Sequence, residues 1–560
     1  MGELLTRGRS LVDRLGHVAR ERADHPFIIL HDDPGHPVTF GEVHRRAEGF
    51  AGAFAARGVR RGQVIALMLP THRDAAPAFF GAMMIGAIPA FFPPLSPKQD
   101  AGIFWASHGT LFARIEVALI VADGFNIGLI GDYLADFHDL CHDIETPLPP
   151  FDPGVVVSSD RRDIAFLQHS SGTTGLKKGV MLSHGTVLDH VDAMAETLGM
   201  TGGDVIASWL PIYHDMGLIA CFVAPALLGI SVVTIDPFAW VRRPASLLEA
   251  IGDFRATLCW LPNFAFHHLI RMTPPEARYD LSSLRAVIDC SEPCKAATLE
   301  AFVRHFAPHG LAAAAPQVRY AMAETVFMVT QTRLGEAPRI ICADAEALDR
   351  DGVVRAAAPG AAGRDMISCG PPMAGVRLRI LDADGAACAD REVGTVVIAS
   401  ATMFDGYFRL EMTPGKLEAG WYHTGDRGFL DQGELFITGR TDDLLIIHGK
   451  NIYAHDAEFC INTHCDVKPG RVVAIAPFNP QTGSQSLVVI AEADTMDVTA
   501  RSALSRAIKS AINAEFAATV YEALIVSPGW LIKTTSGKIS RAENLRRYVA
   551  ERAAFREERA

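Results

Sequence analysis

The sequence predicts an α/β protein: a large N-terminal domain of covered parallel sheets with a small β-rich subdomain, then a small α+β C-terminal domain. Three observations predict it. Short apolar strands and amphipathic helices alternate over the first two thirds of the chain. After about residue 370 the pattern shifts to short strands separated by Gly and Asp turns. A polar run, Gly439–Asp443 (GRTDD), then precedes about a hundred residues with a pattern of their own, a size that folds alone. We place the domain boundary there, giving 1–438 and 439–560. With 560 residues the chain is too long for one hydrophobic core.

The elements follow in order. Thr39 with Glu42 has the form of a capping box opening a helix through Arg57, and Gly58 is a stop signal. Val64–Met68 is a short apolar strand and Asp74–Ile85 a helix. Strands return at Ile164–Leu167, Val205–Trp209, Val232–Ile235, Thr257–Trp260 and Ala286–Asp289. The β-rich part holds Val376–Leu381, Gly394–Ala399, Gly428–Leu430 and Leu435–Thr438. The C-terminal domain holds strands at Leu444–His448, Val472–Pro477, Leu487–Ala493 and Ala523–Val526, and a helix near Ser502–Phe516. Arg541–Ala560 is a charged helix, the pattern of a solvated face.

Composition excludes several classes. A net charge of -12 disfavours a nucleic-acid partner, which needs a basic face. Ala75–Pro94 and Leu218–Ile235 approach the length of a membrane span, but Gly and Pro interrupt both. Each reads as a buried helix running into a buried parallel strand, so no membrane span is expected. Ten cysteines lack a framework spacing, and the charged N-terminal stretch has no apolar core. A cytoplasmic protein with free thiols is the expectation. Cys460, His464 and Cys465 have no second ligand pair at zinc spacing and read as ordinary packing and surface residues.

Leu167–Gly179 reads LQHSSGTTGLKKG: a buried strand, then small hydroxyl residues and glycines, then two lysines. Glycines let backbone N–H groups converge on an anion, hydroxyls add donors, and a lysine adds compact positive charge. The spacing is not that of the common P-loop. A flexible linker is the alternative, but a linker rarely follows a buried strand with this composition.

At this loop the chain resembles the adenylate-forming superfamily. Further segments match in the same order: WLPIYHDMGL (209–218), DCSEP (289–293), YAMAET (320–325), WYHTGDRG (421–428), GRTDDLLIIHGKNIYAHDAE (439–458) and IKTTSGKISR (532–541). The resemblance implies ATP and Mg²⁺ as cofactors. It also implies residue roles. Ser170, Ser171, Gly172, Thr173, Thr174, Gly175 and Lys178 would hold phosphates, with Lys177 standing where the family usually has Pro. Ser291, Glu292 and Pro293 would wall the adenine, and Tyr320 would stack on it, flanked by Ala321 and Met322. Asp426 would bind the ribose hydroxyls with help from Arg440. Glu324, with Thr173, would hold Mg²⁺, a hard ion suited to oxygen ligands. Lys538 would neutralise the reacting carboxylate and α-phosphate. His214 would gate or line the acyl site or act as a base, and Asp442 would be the hinge of a mobile C-terminal lid. A helix-capping Glu324, a core Tyr320, an Asx-turn at Asp426 and a surface Lys538 are the plainer alternatives at those positions.

YHDMG, GKNIYAHDAE and PNFAF (262–266) look most like the fatty acyl-AMP ligase branch, whose acceptor is typically the phosphopantetheine thiol of an acyl carrier protein. The segment 336–365, expected to be long and mostly irregular, fits an insertion of that branch. Asp215, Met216, Gly217, Trp260, Asn263 and Phe264 would form the acyl pocket. Two departures stand out: Ala321 replaces the family glycine, and Trp260 adds bulk where a small residue is common. Trp260 implies a short, medium or functionalised acid. An acyl-CoA synthetase using free CoA, a stand-alone amino-acid adenylation enzyme and a catalytically silent nucleotide-sensing module are the competing readings. Lys538, Glu324 and Asp426 together argue against the last.

Overall fold

The computed structural model describes residues 8–95, 101–169, 178–274, 276–358, 363–447, 450–468, 470–479, 484–494, 497–516, 518–533 and 539–557. Two sheets form the large domain. The first has eight strands, in the order Met328–Gln331, Pro316–Ala321, Ala286–Asp289, Leu258–Leu261, Val205–Ser208, Ser231–Thr234, Pro26–Leu30 and Val38–Thr39. Its interior pairs are parallel, and its two edge pairs are antiparallel. The second has six strands, in the order Cys141–Asp143, Leu119–Ala122, Val64–Met68, Ile88–Phe91, Ile164–His169 and Gly179–Ser183, antiparallel only at the last pair.

Helix Ala75–Met84 is buried at every position, as its uniformly apolar sequence requires. Phe79 packs it between the second sheet and the π-helix Met216–Val223. Its ring centroid lies 5.2 Å from Phe91, 5.5 Å from Phe166 and 5.5 Å from Phe222. The two apolar stretches are thus a helix followed by strand Ile88–Phe91, and a π-helix (Met216–Val223) and short α-helix followed by strand Ser231–Thr234. Among the described residues no helix is long and apolar enough to cross a membrane. Thr39 Oγ1 accepts the Glu42 N–H at 3.2 Å, so the expected cap opens helix Phe40–Ala56.

The β-rich unit contains Val376–Leu381, Gly394–Ser400, Leu417–Glu418, Trp421–Asp431 and Glu434–Arg440. The C-terminal part has its own buried cluster, with Ile461, Val472, Leu487, Ile508 and Ile512 at its centre.

Three local expectations are corrected. Segment 336–365 is not mostly irregular: strands Ile340–Asp344 and Gly363–Ile367 pair around helix Ala345–Asp351. Asp344 caps that helix by accepting the Ala347 N–H at 2.8 Å, and Gly352 closes it in the left-handed region. Gly439 and Arg440, expected in a polar turn, end strand Glu434–Arg440, and only Thr441–Asp443 forms the turn. The ladder holds them because Asp426 pairs with Arg440 in register. A Cβ on Gly439 would lie 2.4 Å from the Tyr453 ring, so no side chain fits that approach. The last helix, Arg541–Glu557, is not simply solvated. Asn544 and Tyr548 are buried in it, and Tyr548 joins a core with Val473, Ile475, Val488 and Leu531. Charge on its outer face masked these anchors.

Candidate functional site

The site lies where strand Pro316–Ala321 meets the β-rich unit. Tyr320 projects from the strand, and its hydroxyl donates to Asp426 Oδ2. Arg440 Nε donates to Asp426 Oδ1 at 3.2 Å, and the Asp426 N–H is held by Thr424 Oγ1 at 3.0 Å. Asp426 is 5% exposed. Burial pushes its carboxyl above the ordinary carboxylate value, while Arg440 and the Tyr320 hydrogen bond oppose that shift. Burial and the neighbouring Asp426 hold the Tyr320 phenol well above its usual value, so it stays a donor.

Glu324 sits in the turn Ala323–Thr325, and Val326 after it has φ +69°. Glu324 Oε1 accepts two hydroxyls, Tyr407 at 2.8 Å and Tyr422 at 3.2 Å. Burial and the Glu324 charge raise both phenols, so both remain donors. Oε2 makes no hydrogen bond among the described residues. That leaves one carboxylate oxygen available to a hard cation, and the donor set fits Mg²⁺. Lys178 Nζ lies 4.9 Å from the centre of the Tyr407 ring. Backbone bonds explain this placement: Phe408 N–H donates to Gly179 O at 2.8 Å and Met181 N–H to Gly406 O at 3.0 Å. The exit of the Ser/Thr/Gly loop is thereby tied to the tyrosines that hold Glu324. Ser170, Ser171, Gly172, Thr173, Thr174, Gly175 and Lys538 lie outside the described residues.

Ser291 adopts φ +70°, a sharp reversal directly after strand Ala286–Asp289. Glu292 Oε2 accepts the Phe264 N–H at 3.0 Å and so caps helix Asn263–Met272. The Ser291–Glu292 reversal and helix Asn263–Met272 are therefore joined directly, with Pro293 following in the same loop. Ala321 and Met322 carry the strand into the Glu324 turn, where Met322 N–H donates to Phe327 O at 2.8 Å.

Asp215 Oδ1 accepts the Met216 N–H at 2.8 Å and starts the π-helix. Gly217 is needed at its second position: a Cβ there would lie 2.2 Å from Pro211 O. His214, half-buried, has its ring 5.1 Å from Tyr213. A cavity beside it is lined by Ser208, Leu210, Tyr213, Cys221, Phe222 and Thr234. Trp260 is fully buried in strand Leu258–Leu261. Asn263 Oδ1 is buried without a hydrogen bond among the described residues. Phe264 is 40% exposed, with its ring 6.0 Å from Trp209, which stacks on Trp240 at 3.8 Å.

Asp442 is exposed on the turn between the large and C-terminal parts. Arg541 pairs with Asp443 at 3.0 Å and with Glu458 at 2.6 Å. Lys295 of the large part pairs with Asp456 at 2.5 Å. Lys295 and Arg541 were not read from sequence, and neither were Tyr407, Tyr422 and Arg319. Tyr407 and Tyr422 lie 83 and 98 residues from Glu324, so no local spacing exposes them. Arg319 carried a signal: a charged residue inside an otherwise buried strand beside Tyr320.

This arrangement is that of an adenylate-forming enzyme. The family model described as AMP-binding enzyme matches residues 15–408. The chain belongs to the AMP-binding enzymes and is an AMP-forming ligase. It is 29% identical over 95% of its length to a medium-chain-fatty-acid–[acyl-carrier-protein] ligase, JamA, of Moorena producens, covering 94% of that protein. It is 30% identical to a long-chain-fatty-acid–AMP ligase, FadD26, of Mycobacterium marinum, over 92% of each chain. A structure from a study of fatty acyl-adenylate ligases of E. coli and L. pneumophila superposes with a TM-score of 0.89 at 25% identity, covering 98% of this chain and 99% of that one. The superfamily and the branch read from the motifs are those the comparisons return.

Proposed function

We propose that this chain uses ATP to activate a carboxylic acid as acyl-AMP, releasing pyrophosphate, and then transfers the acyl group to the phosphopantetheine thiol of an acyl carrier protein. One observation carries the first step. Two acids converge on one cleft, each already oriented by protein donors: Asp426 by Tyr320 and Arg440, Glu324 by Tyr407 and Tyr422. Asp426 would accept the ribose hydroxyls, and the Tyr320 ring would pack on adenine against the Ser291–Pro293 reversal. Lys178 and the Ser170–Gly175 loop, with Thr173, would grip the phosphates. Mg²⁺, held through Glu324, would supply charge neutralisation on the phosphates. The acid would enter along His214, Asp215, Met216 and Gly217, with Trp260, Asn263 and Phe264 around its chain.

In the first half-reaction the carboxylate oxygen attacks the α-phosphorus and pyrophosphate leaves. In the second the thiol attacks the acyl carbonyl and AMP leaves. Lys538 would neutralise the two anions as they meet, and positioning supplies most of the rest. Residues 439–560 would act as a lid that turns about Asp442 between the steps. The carrier-protein acceptor is supported by the JamA likeness. The reaction is placed in the cytoplasm, where ATP is available.

ATP–pyrophosphate exchange over a panel of carboxylic acids tests the first step. Competition between free CoA and a phosphopantetheinylated carrier protein tests the second. No exchange with any acid sinks the activation reading. Thioester formation on CoA alone sinks the carrier-protein reading and leaves activation standing.

A further inference from the structure

Arg319 carries a charge that the fold does not neutralise. It is 2% exposed. Its Nε donates to the neutral Gln331 Oε1 at 2.8 Å, and its Nη1 faces only the Met194 sulfur at 3.7 Å. Its Nη2 is buried with no hydrogen bond among the described residues, and no described carboxylate pairs with it. Its guanidinium lies 5.7 Å from the centre of the Trp260 ring and 5.2 Å from that of Phe327. Those π-faces offset part of the desolvation. Burial lowers its pKa to about 10, which leaves it cationic at neutral pH. Buried charges are ordinarily paired, because leaving water uncompensated is costly.

The sheet register shows what this cation faces. Thr234 pairs with Ser208, Leu258 with Ile206, Trp260 with Ile288, and Ile288 with Gln317. Paired and alternate residues share a face, so Ser208, Trp260 and Arg319 look to one side while Tyr320 looks to the other. Cys221, which lines the cavity beside Tyr213, and Cys290, which precedes the Ser291 reversal, both feel the Arg319 charge. Arg319 thus lies on the same face of the sheet as Ser208, which lines that cavity, with the Trp260 ring between them in strand order.

We propose that Arg319 selects for a second anionic group, so that the preferred substrate is a dicarboxylic acid whose distal carboxylate pairs with the Arg319 guanidinium. This rests on the acyl-activation reading above. An aliphatic tail would leave the cation buried and unpaired. A carboxylate matches the planar fork of donors and restores the missing partner for Nη2. The near carboxylate remains the one that attacks ATP.

The test compares acids matched in chain length by acid-dependent pyrophosphate exchange: butanoate against butanedioate, and hexanoate against hexanedioate. The unaltered enzyme is expected to favour the diacid of at least one pair in kcat/KM by about tenfold or more, a typical worth of a buried charge pair. Arg319→Met should reverse that preference, and Arg319→Lys should keep it. A role of Arg319 in packing alone would change stability without moving the diacid-to-monoacid ratio. Preference for monoacids in the unaltered enzyme overturns the proposal, as does a ratio unchanged in Arg319→Met. If Arg319→Met does not fold, the ratio in the unaltered enzyme decides. Exchange with monoacids alone leaves acyl activation standing and removes only the diacid assignment; exchange with no acid removes both.

Discussion

Neighbouring residues of one strand, Tyr320 and Arg319, serve opposite kinds of surface. On the Tyr320 side, Asp426 and Glu324 already have protein donors. On the Arg319 side, a guanidinium is enclosed by aromatic rings, a thioether and an amide, with no described counter-ion. On the function proposed above, the cleft side would be built in advance for a ligand with a fixed arrangement of hydroxyls and phosphates. The far side is left incomplete and takes its missing charge from what binds. Preorganisation of this kind orients groups that recur in every turnover, while an unfilled interaction supplies discrimination.

The strongest way to break this contrast is Asp426→Ala. It removes the acceptor that two donors hold and that would take two ribose hydroxyls. Hydrogen bonds to a charged group contribute about 1.5–3 kcal/mol each, so two lost bonds predict at least about a hundredfold weaker nucleotide binding. The Arg440 partner is 57% exposed, so loss of that ion pair adds little to the effect on folding. Fluorescence or calorimetric titration with ATP checks this. Affinity within a few-fold of the unaltered protein would mean that Asp426 does not face the ribose. The raised Asp426 pKa adds a pH signature. Protonation removes the acceptor, so nucleotide affinity should fall with decreasing pH, starting above the range where ordinary carboxylates titrate.

The Arg319 side predicts a different pH effect, on stability. Two buried histidines of helix His184–Leu198, of which His190 lies near Arg319, use a ring nitrogen as acceptor: His190 Nε2 takes the Met328 N–H at 3.0 Å, and His184 Nδ1 takes the Leu11 N–H at 3.2 Å. Burial lowers His190 to about 3, with the Arg319 charge adding to it, and burial lowers His184 to about 4. The folded state therefore excludes protons that the unfolded chain binds below its ordinary value of 6.5. The stability each contributes is fully present above that value and is lost as pH falls towards the folded one. At pH near 5 the expected loss is about 2 kcal/mol per histidine. Urea midpoints at neutral and mildly acidic pH measure it. Replacing His190 with Gln, which keeps an acceptor but no titration, should shrink the difference by about half if the variant folds; no change would show that His190 is already protonated in the fold.

Much of the cleft was legible in sequence, and the reason is local. Tyr320–Glu324, Thr424–Asp426 and Ser291–Pro293 are short runs whose backbone sets the geometry within a few residues. Positive φ at Ser291 and at Val326 lies inside or beside those runs. The supports were not legible because they come from far along the chain. Tyr407 reaches Glu324 because its segment is bonded both to strand Gly179–Ser183 and, through the Phe404 N–H, to Glu324 O at 2.9 Å. Arg319 is hidden from sequence for another reason. A strand reading assigns alternate positions to inside and outside, and in a sheet covered on both faces a charge has no outside to occupy. The 336–365 segment was read as irregular because its helix, Ala345–Asp351, is too short to show a helical period.

The smallest expected effect concerns the donors themselves. Tyr422→Phe removes one hydroxyl from Glu324 Oε1 and leaves Tyr407 to hold it at 2.8 Å. One hydrogen bond to a charged acceptor is worth about 1.5 kcal/mol, so the Mg²⁺ concentration for half-maximal pyrophosphate exchange should rise about tenfold. Maximal exchange at saturating Mg²⁺ should stay close to that of the unaltered enzyme, because the carboxylate is still present. Tyr407→Phe should act more strongly, since that bond is the shorter and its ring also carries Lys178. If both phenylalanine variants keep the original Mg²⁺ dependence, the hydroxyls are not orienting Glu324. The cleft side would then owe its order to the backbone turn alone, and the contrast with Arg319 would narrow to the presence or absence of a counter-charge.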